Sequence, residues 1–277
     1  LKIAFWSNAR GKCGTTSNLA CMSVACTLLK RQKMVLFENH YSINSLEYAF
    51  CGSRNRVKNL LREEGYYYDV TGLEYLIKRV QSDMFSDKGI SEFTNQFLDQ
   101  SIYYLPKNPG LNKEYFEFEL NQVLSKLLVL LETFADMVWV DTACNNNLST
   151  ISILQDADIV VVNLCQSKAV LEHFFENYQS LLPKAVFILG NYQPNSFYNV
   201  ANVRRKYHIS KEIIGVIPYN PHFQDSLSNG SVIEFLTRNF ACDGKDENFY
   251  FIDQLRRSAS ILLKTVHQKR EVSVRVH

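Results

Sequence analysis

At 277 residues, 46% hydrophobic and 21% charged, the chain has the composition of an ordinary globular protein, which excludes the disordered and fibrous classes. A formal net charge of +2 selects no partner by bulk electrostatics, and no apolar run reaches the roughly 20 residues that span a bilayer. Seven cysteines (13, 21, 26, 51, 144, 165 and 242) contain no C-x-x-C pair and read as reduced, buried thiols of a cytoplasmic protein, not as a metal or disulfide framework.

The first stretch, Lys2 to Ser17 (KIAFWSNARGKCGTTS), reads as a buried strand through Ile3, Ala4, Phe5 and Trp6, a turn freed by Gly11 and Gly14, and a helix opened by Thr15, Thr16 and Ser17. No signal-peptide pattern comes before the strand. A strand, a glycine loop and a helix N-terminus in the first βα unit make an anion site, because loop N–H groups converge and the helix dipole favours negative charge. The pattern G-x-x-x-x-G-K-[ST] is not matched, since Thr15 stands where the lysine belongs; a bent loop without a ligand is the alternative. The helix continues to Lys30 with Leu19, Met22, Ala25, Cys26 and Leu29 at helical spacing.

Met34 to Glu38 is a second buried strand, with Asn39 and His40 at its C-terminal end. Ser42 to Gln96 is polar with helical patches at Val57–Leu61 and Leu73–Val80. Tyr66, Tyr67 and Tyr68 between them read as a packed loop or as a stacking surface for a base. Ser101 to Leu105 is strand three, stopped by Pro106, and Pro109-Gly110 is a turn. Asn112 to Phe134 is an amphipathic helix, and Asp136 to Asp141 a strand ending in an acid. Asp141 could hold Mg²⁺ through a water or merely cap the next helix. Asn145, Asn146 and Asn147 behind it tolerate left-handed backbone.

Asp158 to Leu164 is a continuous apolar run, hence a central parallel strand. A helix over Ala169–Leu182, a strand over Ala185–Gly190 closed by Asn191, and a helix over Tyr198–Tyr207 carrying Arg204, Arg205 and Lys206 follow. Ile213 to Ile217 is the last strand, with Pro218-Tyr219-Asn220 behind it. Tyr250 to His267 closes the chain as an amphipathic helix, and Gln268 to His277 reads as a frayed tail. Seven strands alternating with helices predict one α/β domain over 1–277, a doubly wound, mostly parallel sheet covered on both faces.

The first loop resembles the deviant Walker A loop, K-G-G-x-G-K-T-T, of the ParA/MinD family of P-loop ATPases. Its G-T-T ending resembles the TadZ/CpaE branch, whose members position pilus or secretion machinery. The resemblance extends with gaps over nearly the whole chain. It implies a nucleotide-binding loop of Arg10, Gly11, Lys12, Cys13, Gly14, Thr15, Thr16 and Ser17. Arg10 takes the place of the lysine that reaches the nucleotide across a dimer interface. Gly11 and Gly14 match the first and third glycines and Lys12 replaces the second. Thr15 replaces the phosphate-binding lysine, and Thr16 is the Mg²⁺-ligating hydroxyl. Glu38 and His40 fall on the family's D-x-D, so the water-orienting acid is missing. His40 reads as a loop histidine or as a contact to phosphate or metal-bound water. Asp141 matches the Walker B acid, without the Pro and Gly that follow it in the family. Asn191, which also reads as a plain turn residue, takes the place of the adenine-reading Asn, and Ile217-Pro218-Tyr219-Asn220 that of the segment beside the base. Asp225 to Gly230 resembles the stretch packed behind it.

The resemblance therefore implies ATP or ADP with Mg²⁺, a nucleotide-dependent homodimer, and contacts to pilus or secretion components. It implies a cytoplasmic location, with peripheral association at the inner face of the cell membrane as the variant. MinD proteins end in a membrane-binding helix; the broad apolar face of the closing helix here fits docking on the core better. Without Lys at 15 and an acid at 40, at most weak ATP hydrolysis is expected. A partitioning ATPase that binds DNA non-specifically, and a nucleotide-free scaffold, are the alternatives.

Overall fold

In the computed structural model, residues 1–40, 45–51, 71–83, 87–108 and 112–276 are described. The apolar runs at 57–61 and the tyrosines 66–68 lie outside them, as does the 109–110 turn. Eight strands form one sheet: β1 Lys2–Trp6, β2 Met34–Glu38, β3 Asn95–Phe97, β4 Ile102–Tyr104, β5 Met137–Asp141, β6 Ile159–Leu164, β7 Ala185–Tyr192 and β8 Ile214–Pro218. Their spatial order is β3-β4-β2-β5-β1-β6-β7-β8. All neighbours are parallel except the β3–β4 hairpin. The α/β class expected from the sequence is the observed one. Strand β3 is an addition to the seven expected, because Asn95-Gln96-Phe97 carries no apolar alternation.

Side-chain alternation divides each strand between two cores. Ala4 and Trp6 face one layer with α3 (Gly72–Gln81), α4 (Lys113–Phe134) and α6 (Lys168–Asn177). Ile3 and Phe5 face the other, with α1 (Thr15–Leu29), α2 (Leu46–Cys51), α9 (Val232–Asn239) and α10 (Phe249–Val276). The other α-helices among the described residues are α5 (Leu148–Asp156), α7 (Val200–Tyr207) and α8 (Pro221–Asn229). The helix expected over 169–182 ends at Asn177. The backbone turns out of the α region at Tyr178 (φ −121°, ψ 35°), and a 3₁₀ segment from Gln179 to Lys184 with Pro183 inside it takes over.

The closing helix runs on to Val276, so the tail expected to fray from Gln268 is helical to that point. Its apolar face (Phe251, Ile252, Leu255, Ala259, Leu262, Val266) is buried against α1 and β8. The Ser258 hydroxyl fixes the docking. It donates to the Val216 carbonyl at 2.9 Å and accepts from the Val216 N–H at 3.0 Å. Gly215 permits this approach: a Cβ there would lie 2.4 Å from Ser258 Oγ and 2.8 Å from Ser258 Cβ. Gly215→Val is expected to cost about 2–3 kcal/mol by overpacking, read in urea unfolding; a loss under about 0.5 kcal/mol would contradict this docking. Among the described residues, no helix is long and apolar enough to cross a membrane.

Candidate functional site

The carboxyl ends of β1, β2 and β5 meet on one rim because Phe5 and Glu38 are both register partners of Asp141. The chain leaves β1 through residues 7–13 and enters α1 at Gly14. Gly14 adopts the left-handed conformation (φ 65°, ψ 35°), and Gly11 has φ 71°. No side chain caps α1 and its first turn holds no acid. Its opening N–H groups therefore keep no intrahelical partner, and its dipole meets no local countercharge. Thr15 is the first helical residue, and its hydroxyl caps nothing.

Above this loop lies a cavity of about 240 Å³ lined by Arg10, Gly11, Gly14, Thr15, Thr16, Ser17, His40, Asp141 and Asn145, among others. Sequence reasoning named most of these. It missed Lys113 and Glu117, which α4 brings into the lining as a pair 3.6 Å apart. Lys113 adds a cation to the lining of a cavity whose loop lacks its own lysine at 15.

Lys12, Cys13, Glu38, Asn191, Pro218 and Tyr219 do not line this cavity. Cys13 is buried beneath the loop, where its carbonyl accepts from Asn18 Nδ2 at 3.0 Å; the same amide donates to Asn163 Oδ1 at 2.9 Å. This brace ties the loop to β6. Gly190 of β7 touches it too: a Cβ there would fall 2.4 Å from the Cys13 carbonyl oxygen. Asn191 therefore follows directly beside the loop, exposed and left-handed (φ 48°). Tyr219, also exposed, donates its N–H to the Tyr192 carbonyl at 3.3 Å, so the ends of β7 and β8 extend the rim away from the cavity.

His40 is not an idle loop residue. Its Nε2 lies 2.8 Å from Asp141 Oδ2 and 3.7 Å from Glu38 Oε1. Glu38 is fixed from below, accepting from Tyr104 Oη at 2.6 Å and from the Leu46 N–H at 3.1 Å. Lys107 donates to the His40 carbonyl. Burial opposes charging the imidazole. The hydrogen-bonded Asp141 carboxylate and Glu38 outweigh it, and the ring titrates above its ordinary value. Asp141 is not the cap of α5, which is Asn147, whose Oδ1 accepts from the Thr150 N–H. None of Asn145, Asn146 and Asn147 uses the left-handed backbone expected there.

Asp141 is 1% exposed, and its Oδ1 has no hydrogen-bond partner. An orphaned buried oxygen on Asp141, which lines the same cavity as Thr16, fits an oxygen-bound Mg²⁺. The His40 nitrogen on the other oxygen does not belong to such a set.

No disulfide joins the seven cysteines, of which Cys13, Cys21 and Cys26 are buried and the others half-buried. A hydrogen bond from Cys13 lowers the Cys165 thiol below its ordinary range, and Lys12 adds to this. Burial and contacts raise Cys13, Cys21, Cys26, Cys144 and Cys242. Cys165 is expected to be alkylated ahead of those five at pH 7, as peptide mass mapping after brief iodoacetamide treatment would show; uniform labelling would contradict the pairing.

The arrangement has relatives among solved structures. MinD, the septum site-determining protein of Pyrococcus horikoshii OT3, complexed with Mg-ADP, superposes with a TM-score of 0.68 at 15% identity, covering 97% of this chain and 98% of that one. A ParA family ATPase from Chlorobium tepidum TLS gives 0.68 at 14% identity over 93% and 98%. A putative plasmid partition protein from Borrelia burgdorferi B31 bound to AMPPNP gives 0.60 at 14% over 95% and 98%. No family model matches the chain, and no curated protein matches its sequence. The fold is that of the MinD and ParA ATPases: an eight-stranded, mostly parallel sheet between helical layers.

Proposed function

We propose that the chain binds an adenine nucleotide, ATP or ADP, with its phosphates on the Arg10–Ser17 loop and a divalent cation between Thr16 and Asp141. The observation that carries this is the uncapped, acid-free start of α1 opening into a cavity with Arg10 and Lys113 on its walls. The loop N–H groups and these cations would hold the phosphates. Asn191, Pro218 and Tyr219 stand further along the same rim, where a base would lie. The fold shared with a MinD complexed with Mg-ADP and a partition protein bound to AMPPNP supports the reading.

Hydrolysis is expected to be weak or absent. Phosphoryl transfer rests on positioned charge and an oriented water. Here Thr15 replaces the lysine, and the imidazole of His40, bonded to Asp141, replaces the acid. Turnover well below 1 s⁻¹, under the low end of common rates, is the expected result of a phosphate-release assay; turnover at or above it would overturn this. The G-T-T ending supports a TadZ/CpaE-like role: a nucleotide-dependent dimer, with Arg10 reaching the partner's nucleotide, that positions a pilus or secretion assembly. Dimerisation is tested by sedimentation with and without ATP, and a monomer under both conditions would count against it.

The partitioning alternative needs available cations outside the cavity. Lys206 is paired with Glu172 at 2.9 Å, Arg204 donates to the Ile209 carbonyl and Arg205 to Asn202. Salt-sensitive binding of random duplex DNA would favour that alternative.

A further inference from the structure

We infer that Glu38, His40 and Asp141 form a site for a borderline divalent cation of the Mn²⁺, Co²⁺ or Zn²⁺ kind, able to bind before any nucleotide and preferred there over Mg²⁺. The three offer one nitrogen and two carboxylate oxygens, all within 4.8 Å of one another. They come from neighbouring strand ends: Glu38 and Asp141 are register partners on β2 and β5, and His40 lies two residues past Glu38. A cation about 2.0–2.2 Å from each donor holds neighbouring donors roughly 3–3.5 Å apart. The His40–Asp141 distance of 2.8 Å and the His40–Glu38 distance of 3.7 Å bracket that spacing.

A second observation points the same way. Asp141 Oδ1 is buried without a partner, although the other oxygen of the same carboxylate is hydrogen-bonded. The site is also braced as metal sites are. Tyr104 Oη orients Glu38, and Lys107 holds the backbone of His40. His40 and Asp141 line the cavity, so remaining coordination positions open toward it. An imidazole nitrogen suits Co²⁺ and Zn²⁺, the two carboxylates suit Mn²⁺, and all three bind such mixed sites more tightly than Mg²⁺, which favours oxygen donors.

The inference does not rest on nucleotide binding, and its test uses metal alone. Chelator-stripped full chain is titrated calorimetrically with MnCl₂ and CoCl₂, and the visible spectrum of the Co²⁺ form is recorded. The expected result is one equivalent bound at micromolar affinity or better, undisturbed by millimolar Mg²⁺. His40→Ala should weaken it by at least about 100-fold, and Tyr104→Phe, which removes the hydrogen bond to Glu38, by about 10-fold. His40→Asp, an all-oxygen set, should shift preference toward Mg²⁺. Should His40→Ala fail to fold, Tyr104→Phe and the wild-type Co²⁺ spectrum still decide. Binding unchanged in these variants, a thiolate-to-Co²⁺ charge-transfer band that places the metal on cysteines, or no stoichiometric binding would each overturn the site and leave His40 a hydrogen-bonded plug on Asp141.

Discussion

A Gly190→Val chain is expected to be less stable by about 3 kcal/mol and to lose about 100-fold or more in nucleotide affinity. Gly190 sits inside β7, where the added side chain has nowhere to go. Its Cβ alone would lie 2.4 Å from the Cys13 carbonyl oxygen, 3.3 Å from the Cys13 carbonyl carbon and 2.7 Å from Asn18 Nδ2. The first two are backbone, so the first loop itself must move. Moving it breaks the Asn18 amide away from both Cys13 and Asn163. Overpacking of this kind costs about 1–3 kcal/mol, and more where backbone must shift. Losing two N–H contacts to a phosphate, at roughly 1.5–3 kcal/mol each, accounts for the affinity. Urea unfolding and a fluorescent ATP-analogue titration check the two halves separately. Full affinity in a destabilised variant would show that the loop geometry does not govern binding.

Gly14→Asp should separate binding from folding. Aspartate, like asparagine, tolerates the left-handed conformation better than most side chains. A Cβ at this position would meet only the Asn18 side chain, whose Oδ1 is nearest at 3.6 Å, an ordinary contact. The left-handed backbone at the start of α1 (φ 65°) strains any residue with a Cβ, so the new carboxylate brings its charge to the first turn without a full capping gain. It then occupies the place proposed for the phosphate with a charge of the same sign. The expected outcome is a melting temperature lowered by no more than a few degrees, together with loss of nucleotide binding beyond about 100-fold. Retained binding would move the phosphates off this loop.

Much of this was legible in the sequence because it is local. The β1 run, Gly11, Gly14 and the small-residue helix lie within the first stretch, and their physics needs no distant partner. β3 was not legible. Its three residues pair with β4 only because Leu98, Asp99 and Gln100 turn the chain at φ near 50–60°, an unusual run for residues of these types. Nor was α5, whose Leu148 and Ile151 are exposed while Ile153 is buried, so the apolar spacing marks no inward face. The extension of α10 was hidden by polar residues that lower its apolar signal beyond His267.

At the site, sequence reasoning placed Asp141 and His40 on the right strand ends but not in contact, since 101 positions separate them and only the register of β2 and β5 joins them. Lys113 could be placed at the start of a helix. That this start lines the same cavity as the first loop is a tertiary fact with no local signal.

The most direct test of the nucleotide reading is thermal unfolding of the wild-type chain with ATP, ADP and GTP, each with and without divalent metal. A ligand at about 100 times its dissociation constant adds about 2.7 kcal/mol, a shift of several degrees for a chain of this size. An adenine-selective rise is the predicted result. An unchanged transition at millimolar nucleotide, with or without metal, would contradict it and leave the scaffold alternative, which requires no ligand.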